Sequence, residues 1–478
     1  MIPIRALWRA GLLPSVLLLV PVGVVLISAS PLQIPGRPVS PIDANSETEY
    51  RPGRYRPTPD PDRIILTWSG DPATTQAITW RTDASVTQAL AEVAAAGESP
   101  AFASSPRQVR AVTTATGSEE NGPARQHTAE LTGLSPNTLY AYRVGDGKRW
   151  SEWFHFRTAA ERPEPFSFIY LGDAQNQIRS QWSRAIRAAY AAAPDARFII
   201  HAGDLVNRSS QDDEWGEWFE AGGWINAMIP SIPVTGNHEH GRTVANKVAR
   251  RVAGSGLAAD WGYQLANQWR PQFALPSHGP KGLEETVYYI DYQGVRIIAL
   301  NSTESGRFED QARWLEPLLA DNPNPWTIVT FHHPILAVAH ERDYAAMRAA
   351  WQPLLERYGV DLVLQGHDHT YVRGMPHVGS SHGSSEGTGP IYVISVSGPK
   401  MYAISRKQAW MQRMAEDTQL FQIIHVQEDR LRFEARTVTG QLYDAFELVK
   451  RESSAKYLVD EHPNTPERRR QVVASAAP

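Results

Sequence analysis

Not one of the 478 residues is cysteine. That excludes disulfides, thiolate nucleophiles, cysteine metal ligands and a lipid-modified cysteine, so any bound metal must sit on nitrogen and oxygen. Excess charge is lacking as well: 47 lysines and arginines face 51 acidic residues, a net charge of -4. No global field draws the chain towards nucleic acid or anionic lipid, so no specific nucleic-acid partner is expected and an anion must be captured locally. Internal repeats are missing too. Apolar residues at 42% and charged residues at 21% exclude wholesale disorder and a multi-span membrane protein. At roughly 100 to 200 residues per domain, the length implies two or three folded units.

The chain divides by composition. Arg5 and Arg9 flank an almost purely apolar stretch from Ala10 to Ala29, which reads as an export signal over 1–30. Pro31 directly follows the small residues Ser28, Ala29 and Ser30 and obstructs cleavage there, so an uncleaved N-terminal membrane anchor is the alternative. Both readings place the body outside the cytoplasm, whether periplasmic, secreted or anchored facing outward. Residues 31–62 are proline-rich and poor in apolar residues, a linker. Between 63 and 160, short alternating segments (Ile64 to Trp68, Gln76 to Arg81, His127 to Leu131, Leu139 to Val144, Phe154 to Thr158) predict a small all-β sandwich without clustered chemistry. From 161 to 450 the rhythm becomes α/β, with apolar runs at Phe166 to Leu171, Phe198 to Ile200, Ile232 to Val234, Ile328 to Phe331 and Leu362 to Leu364. Helices are predicted over Gln181 to Ala193 and Asp310 to Ala320, and a hairpin around Gln293-Gly294. Residues 451–478, with Arg468, Arg469 and Arg470, read as a solvated, disordered tail.

Each apolar run ends in oxygen or nitrogen donors, and strand ends are where open α/β sheets place their sites. The donors are Gly172-Asp173-Ala174-Gln175, Gly203-Asp204, Gly236-Asn237-His238-Glu239, His332-His333-Pro334 and Gly366-His367-Asp368-His369. A lone Gly-Asp or Gly-Asn pair is a turn or a helix cap as readily as a ligand. In the last motif the histidines stand two apart, which in extended chain puts both on one side, and imidazole is the commonest metal ligand. Five such motifs at five strand ends make a specific signature.

Together they resemble the calcineurin-like metallophosphoesterases, and among these the purple acid phosphatases and their bacterial relatives. The segment Leu134 to Gly145, followed by Phe154 to Thr158, resembles a fibronectin type III domain, which that group also places ahead of its catalytic domain. The implied fold is α/β, a metallophosphoesterase αββα sandwich preceded by a small all-β fibronectin type III-like sandwich. By the same resemblance Asp204 bridges two metal ions, Asp173 and His369 hold the first, and Asn237, His332 and His367 hold the second. His238 lies outside the metal shell as leaving-group acid. His340 falls where the family carries phosphate-contacting histidines, an ordinary surface histidine being the other reading. Purple acid phosphatases have a tyrosine three residues after the bridging aspartate, whose phenolate on ferric iron gives the colour; this chain has Asn207. No purple colour is therefore expected. Gln175, two residues after the first aspartate, is the expected substitute ligand, with Asn207 as the alternative.

Phosphate esters repel hydroxide, and two cations about 3.5 to 4 Å apart overcome that repulsion and supply a nucleophile near neutral pH, here expected as a metal-bridging hydroxide. Manganese, iron or zinc, as divalent or mixed-valence ions, all suit these donors. The expected activity is hydrolysis of small phosphate monoesters, as in an acid phosphatase. A phosphodiesterase or nucleotide diphosphatase on the same metals is one alternative, and an inactive adhesion or phosphate-binding module another. Glu239 is expected to orient a histidine, Arg373 to form a structural salt bridge, and Trp215, Trp218 and Trp224 to pack in the core.

Overall fold

The structure, a computed structural model, describes residues 53–242, 263–376, 389–405, 407–450, 456–461 and 463–470. The expected signal or anchor over 1–30 and most of the linker over 31–62 lie outside the described residues. Among the described residues no helix is long and apolar enough to cross a membrane.

Eight strands form the amino-terminal sandwich. One sheet runs in the order Asp62–Thr67, Gln76–Asp83, Gly122–Leu131, Val112–Ser118, and the other Arg107–Arg110, Leu90–Ala95, Leu139–Gly145, Phe154–Arg157. Alternate residues point inwards, and Ile78, Trp80, Val93, Leu131, Tyr142, Val144 and Phe156 fill the space between the sheets. The strands over 90–95, 107–110 and 112–118 were not among those expected, since their apolar alternation is weak and Val112 is largely exposed. Among the buried polar residues, His127 lies across three strands, Nε2 2.8 Å from Thr82 Oγ1 and Nδ1 2.9 Å from Thr113 Oγ1.

The second unit is built on two seven-stranded sheets. In the first, Phe166–Leu171, Ile199–His201 and Ser231–Pro233 are parallel neighbours, continued antiparallel by Leu420–Val426, Arg430–Thr437, Leu442–Lys450 and Lys456–Asp460. In the second, Val295–Ala299, Trp326–Thr330, Leu362–Gln365 and Ile391–Ile394 run parallel, with Tyr288–Tyr292 at one edge and Tyr371–Gly374 and Met411–Ala415 at the other. Strand period two divides the apolar side chains between two cores. Val295, Ile297, Ile328, Leu362, Leu364, Ile391 and Val393 face the first sheet. Ile298, Val329, Val363, Tyr392 and Ile394 face the other way, onto helices Phe308–Ala320 and Ala345–Arg357. Helix Ser183–Ala192 covers the first sheet with Ala185, Ile186 and Ala189, which completes the αββα layering. All the parallel strands end on one rim.

Two terminal expectations need correction. The linker's last residues are docked, not free: Tyr55 lies against Gly216, where a Cβ would come within 2.2 Å of its ring, and Arg54 pairs with Glu220 at 2.5 Å. The disordered tail expected over 451–478 is overturned at Lys456–Asp460, which pairs with Leu442–Lys450. Tyr457, Leu458 and Val459 suit a strand, and the buried Lys456 ammonium reaches Asp361 Oδ1 at 3.0 Å and the Val360 carbonyl at 2.8 Å. Arg469 and Arg470 pair with Glu416 and Asp417. Arg373 is the expected structural salt bridge; it is buried between the sheets and donates to Asp444 at 2.8 Å and Asp460 at 3.1 Å. Of the three tryptophans, Trp215 and Trp218 are core, whereas Trp224 is 49% exposed and packs edge-on to Tyr190.

Burial, with the Arg125 guanidinium adding to it, lowers the His127 imidazole from 6.5 to about 4. The unfolded chain therefore takes up this proton first. The stability His127 contributes is complete above pH 6.5 and is lost as pH falls towards 4. His127→Gln should accordingly lose less of its Tm than the parent protein over that interval; a Tm difference between the two that does not change with pH would contradict this.

Candidate metal centre

Five strand tips on the common rim bring the predicted donors together. Asp173, Gln175, Asp204, His332 and His369 are buried, with Asn237, His238 and His367 partly so. The tips are packed so closely that their glycines cannot be replaced: a Cβ on Gly236 would lie 2.2 Å from Asp204 Oδ1, and one on Gly366 2.5 Å from Asp173 Oδ2. Three of the donor residues hold left-handed backbone, Asp173 at φ 44°, Asp204 at φ 50° and His367 at φ 69°. Side chains disfavour this region, and the strain is sustained where surrounding structure dictates it. Here that structure is visible: the His367 amide donates to both Asp173 oxygens at 2.9 and 3.0 Å, and the His238 amide to Asp204 Oδ1 at 3.0 Å.

Glu239 ties two of the loops. One carboxylate oxygen accepts the amides of Asp204 at 2.9 Å and Gly236 at 2.8 Å, and the other those of Leu205 at 2.9 Å and Val206 at 3.3 Å. The expectation that Glu239 orients a histidine is thereby corrected, because its partners are four backbone amides. Burial, and then the Asp204 charge, push its carboxyl up to about 7. A glutamate three residues into the turn opened by Gly236 is a capping arrangement, and that spacing was the signal available in the sequence.

Each imidazole is fixed by its outer nitrogen. His332 Nδ1 lies 2.8 Å from the Ala202 carbonyl and His369 Nδ1 2.9 Å from the Lys400 carbonyl, so both donate outwards and, in the neutral ring, leave Nε2 as an inward lone pair. His367 is anchored through Nε2, 2.7 Å from the Tyr344 hydroxyl, and turns Nδ1 inwards to within 3.1 Å of His332 Nε2. His238 Nδ1 meets the Asn207 carbonyl at 2.5 Å, leaving Nε2 3.8 Å from Asp204 Oδ2. Tyr344 was not foreseen, and no local feature of the sequence marks it.

Asp204, His332 and His367 form one cluster whose ligand atoms all lie within 4.8 Å of each other, and Asp173, Asp204 and His369 form a second. Asp204 is common to both. Two further oxygens suit the same chemistry: Asn237 Oδ1 and Gln175 Oε1 are buried with no hydrogen-bond partner, which is costly unless something binds them. Gln175 Nε2 is 2.9 Å from both Asp204 Oδ2 and His369 Nε2, so a half-turn of the amide would present its oxygen to the second cluster. Asn207 contributes its backbone, accepting from His238 and donating from its amide to Glu214 at 2.7 Å. The residues therefore fit two cations on hard donors.

The electrostatics agree with that fit. Burial drives the Asp173 carboxyl well above the usual range, and the neighbouring Asp204 charge adds to it. Burial opposes ionisation of Asp204 as well, but the imidazoles of His332 and His238 outweigh it and hold the group well below the usual range. Burial would lower His332, yet the Asp204 and Asp173 charges lift it to about 9. A bound cation would satisfy the same field that lifts His332. His340 stands apart from the donors. It is exposed at φ 57°, its ring 4.3 Å from Tyr402, which lies 4.7 Å from the His369 ring.

Comparison with known proteins gives the same picture. Residues 61–158 match the family described as Purple acid Phosphatase, N-terminal domain, and 166–371 match Calcineurin-like phosphoesterase. An uncharacterised protein of Mycobacterium tuberculosis is 27% identical over 296 residues, covering 54% of this chain and 52% of its own. Purple acid phosphatase 15 of Arabidopsis thaliana is 26% identical over 285 residues, covering 52% and 49%. The chain thus spans about half the length of the curated relatives it matches. The solved purple acid phosphatase from yellow lupin (Lupinus luteus) seeds superposes with a TM-score of 0.68 at 18% identity, over 83% of this chain and 75% of that one, a likeness of fold.

Replacing Glu239 by alanine would strand four buried amides. Glu239→Ala should cost about 3 kcal/mol or more in urea unfolding and reduce bound metal, although Glu239 is no ligand. Unchanged stability together with full metal content would refute its clamping role.

Proposed function

Since the chain carries a calcineurin-like phosphoesterase domain of the purple acid phosphatase-like branch, we propose that it is an exported hydrolase of phosphate monoesters that works with two bound metal ions. The observation that carries this reading is the sharing of Asp204 between two ligand clusters. Asp173, Gln175, Asp204 and His369 would hold one ion, and Asp204, Asn237, His332 and His367 the other. Manganese, iron or zinc suits the nitrogen and oxygen donors. When bound, a cation pair neutralises phosphoryl oxygens and makes water acidic enough to attack near neutral pH.

The protein's own groups do the rest. Asp204, common to both ligand groups, would supply negative charge to each ion. The neutral donors Asn237, Gln175 and the imidazoles keep the site from repelling an anionic substrate. His238, its Nδ1 proton held by the Asn207 carbonyl and its side chain 25% exposed, keeps Nε2 on the Asp204 side, 3.8 Å from that carboxylate, and when protonated there can give its proton to a departing alkoxide. His340 is our candidate for substrate contact at the mouth. Export rests on Arg5, Arg9 and the apolar run Ala10 to Ala29, whether that segment is cleaved or stays as an anchor.

Chelation should abolish hydrolysis of a chromogenic aryl phosphate, and turnover that survives complete metal removal would defeat the proposal. Asp204→Ala should lose metal and turnover together, whereas His238→Ala should keep its metal and lose about a hundredfold or more in kcat. Equal metal loss in the two variants would contradict the division of roles. With Gln175 and Asn207 where a phenolate would be needed, the metal-loaded protein should show no purple absorption band in its visible spectrum.

A further inference from the structure

The junction between the sandwich and the second unit carries another concave site, which shares no residue with the metal donors. Helix Asp212–Gly222 stops at Gly223, whose φ of 51° suits glycine and whose amide donates to the Phe219 carbonyl. The turn that follows sends Ile225 into the core and leaves Trp224 outside, 49% exposed. Tyr190 meets the indole at a right angle, with 4.8 Å between ring centres, which sets its orientation. The indole N–H has no partner among the described residues.

Beside Trp224 opens a cavity of about 330 Å³, within the size range of small-molecule sites. Glu152 and Phe154 of the sandwich, Tyr55 of the docked segment, and Phe219, Glu220 and Trp224 at the helix end border it. Charge in its walls is matched internally. Arg81 pairs with Asp62 and Asp212, Arg63 with Asp212, and both Arg54 and Arg179 with Glu220. Glu152 is exposed and pairs with no cation among the described residues, and with it these carboxylates equal the guanidinium groups in number. A wall without net charge draws neither a cation nor an anion. Phe154 and Phe219 are buried, and the Tyr55 ring has Gly216 against it and the Arg54 guanidinium 5.6 Å from its centre. Trp224 is thus the one open aromatic surface of the cavity, whereas a cage for a quaternary ammonium needs several. What remains is an apolar plane beside hydroxyl partners: the indole N–H to donate, and the carboxylates of Glu152 and Asp62, the latter 41% exposed, to accept.

We propose that this junction binds a saccharide, a pyranose with equatorial hydroxyls such as a β-linked glucose or N-acetylglucosamine unit, and so docks the protein on a glycan away from its metal centre. Such a ring carries C–H groups on its faces and hydroxyls round its rim. One face covers the indole, while rim hydroxyls donate to Glu152 and Asp62 and accept from Trp224 Nε1. The site is independent of the hydrolase reading above.

The test is calorimetric titration of the metal-loaded full chain with cellobiose and with chitobiose, choline and sorbitol serving as a cation and as a polyol without a ring. At least one disaccharide should bind with a Kd of about 1 mM or tighter, and neither control should. Trp224→Ala should weaken that binding about tenfold or more, Trp224→Phe should recover part of it, and Glu152→Gln should weaken it about threefold. Metal content and aryl phosphate hydrolysis should stay at parent values in Trp224→Ala. Should that variant fail to fold, Glu152→Gln, at an exposed position, carries the comparison. Failure of both disaccharides to bind, equal binding by the parent and the variants, or binding of choline in their place overturns the saccharide site. Loss of saccharide binding accompanied by an equal loss of metal overturns it as well, because the two sites share no residue.

Discussion

Two carboxylates buried side by side repel each other, and in this molecule the repulsion is built into the meeting of separate loops. Asp173 closes the first parallel strand of one sheet and Asp204 the second, and neither can turn away, because the amides of His367 and His238 grip their oxygens. Only positive charge among them relieves the arrangement. Cations held between the loops would supply it. The remaining features of the centre serve this one requirement: outer hydrogen bonds turn the histidine lone pairs inwards, and unpartnered amide oxygens wait at Asn237 and Gln175.

Such crowding limits what the backbone can do. Left-handed conformation at two aspartates and a histidine, with glycines where a methyl group would strike a carboxylate, lets the loops approach closely enough to share one ligand. Glu239 adds the fastening, its single side chain binding the turn before it and the loop that carries Asp204. Rigidity of this kind keeps ligand positions fixed as the charge between them changes.

Much of this could be read along the chain. The five motifs stand out because each ends an apolar run, runs at βαβ spacing give the α/β rhythm, and the αββα layering was implied by the family resemblance those motifs carry. The sandwich was legible where alternation is strong, as in Gln76–Asp83 and Leu139–Gly145, and illegible at Val112–Ser118, where exposed threonines bury little. Lys456–Asp460 escaped notice, although it pairs with the neighbouring Leu442–Lys450, because Tyr457 and Val459 stay exposed and its one buried side chain, Lys456, finds its partner in Asp361, far off in the sequence. For the same reason Tyr344, Tyr402 and Lys400 carried no local mark. What a sequence periodicity encodes is which face of an element is wet or dry; which distant loop folds over a histidine is decided by packing.

The closing strand also bears on the order in which the molecule can be assembled. Lys456 grips the residues that enter Leu362–Gln365, whose far end delivers His367, and Asp460 completes the polar shell around Arg373, just past His369. In chain order the sandwich therefore comes first, and the strand that buttresses the elements on either side of these two imidazoles comes last.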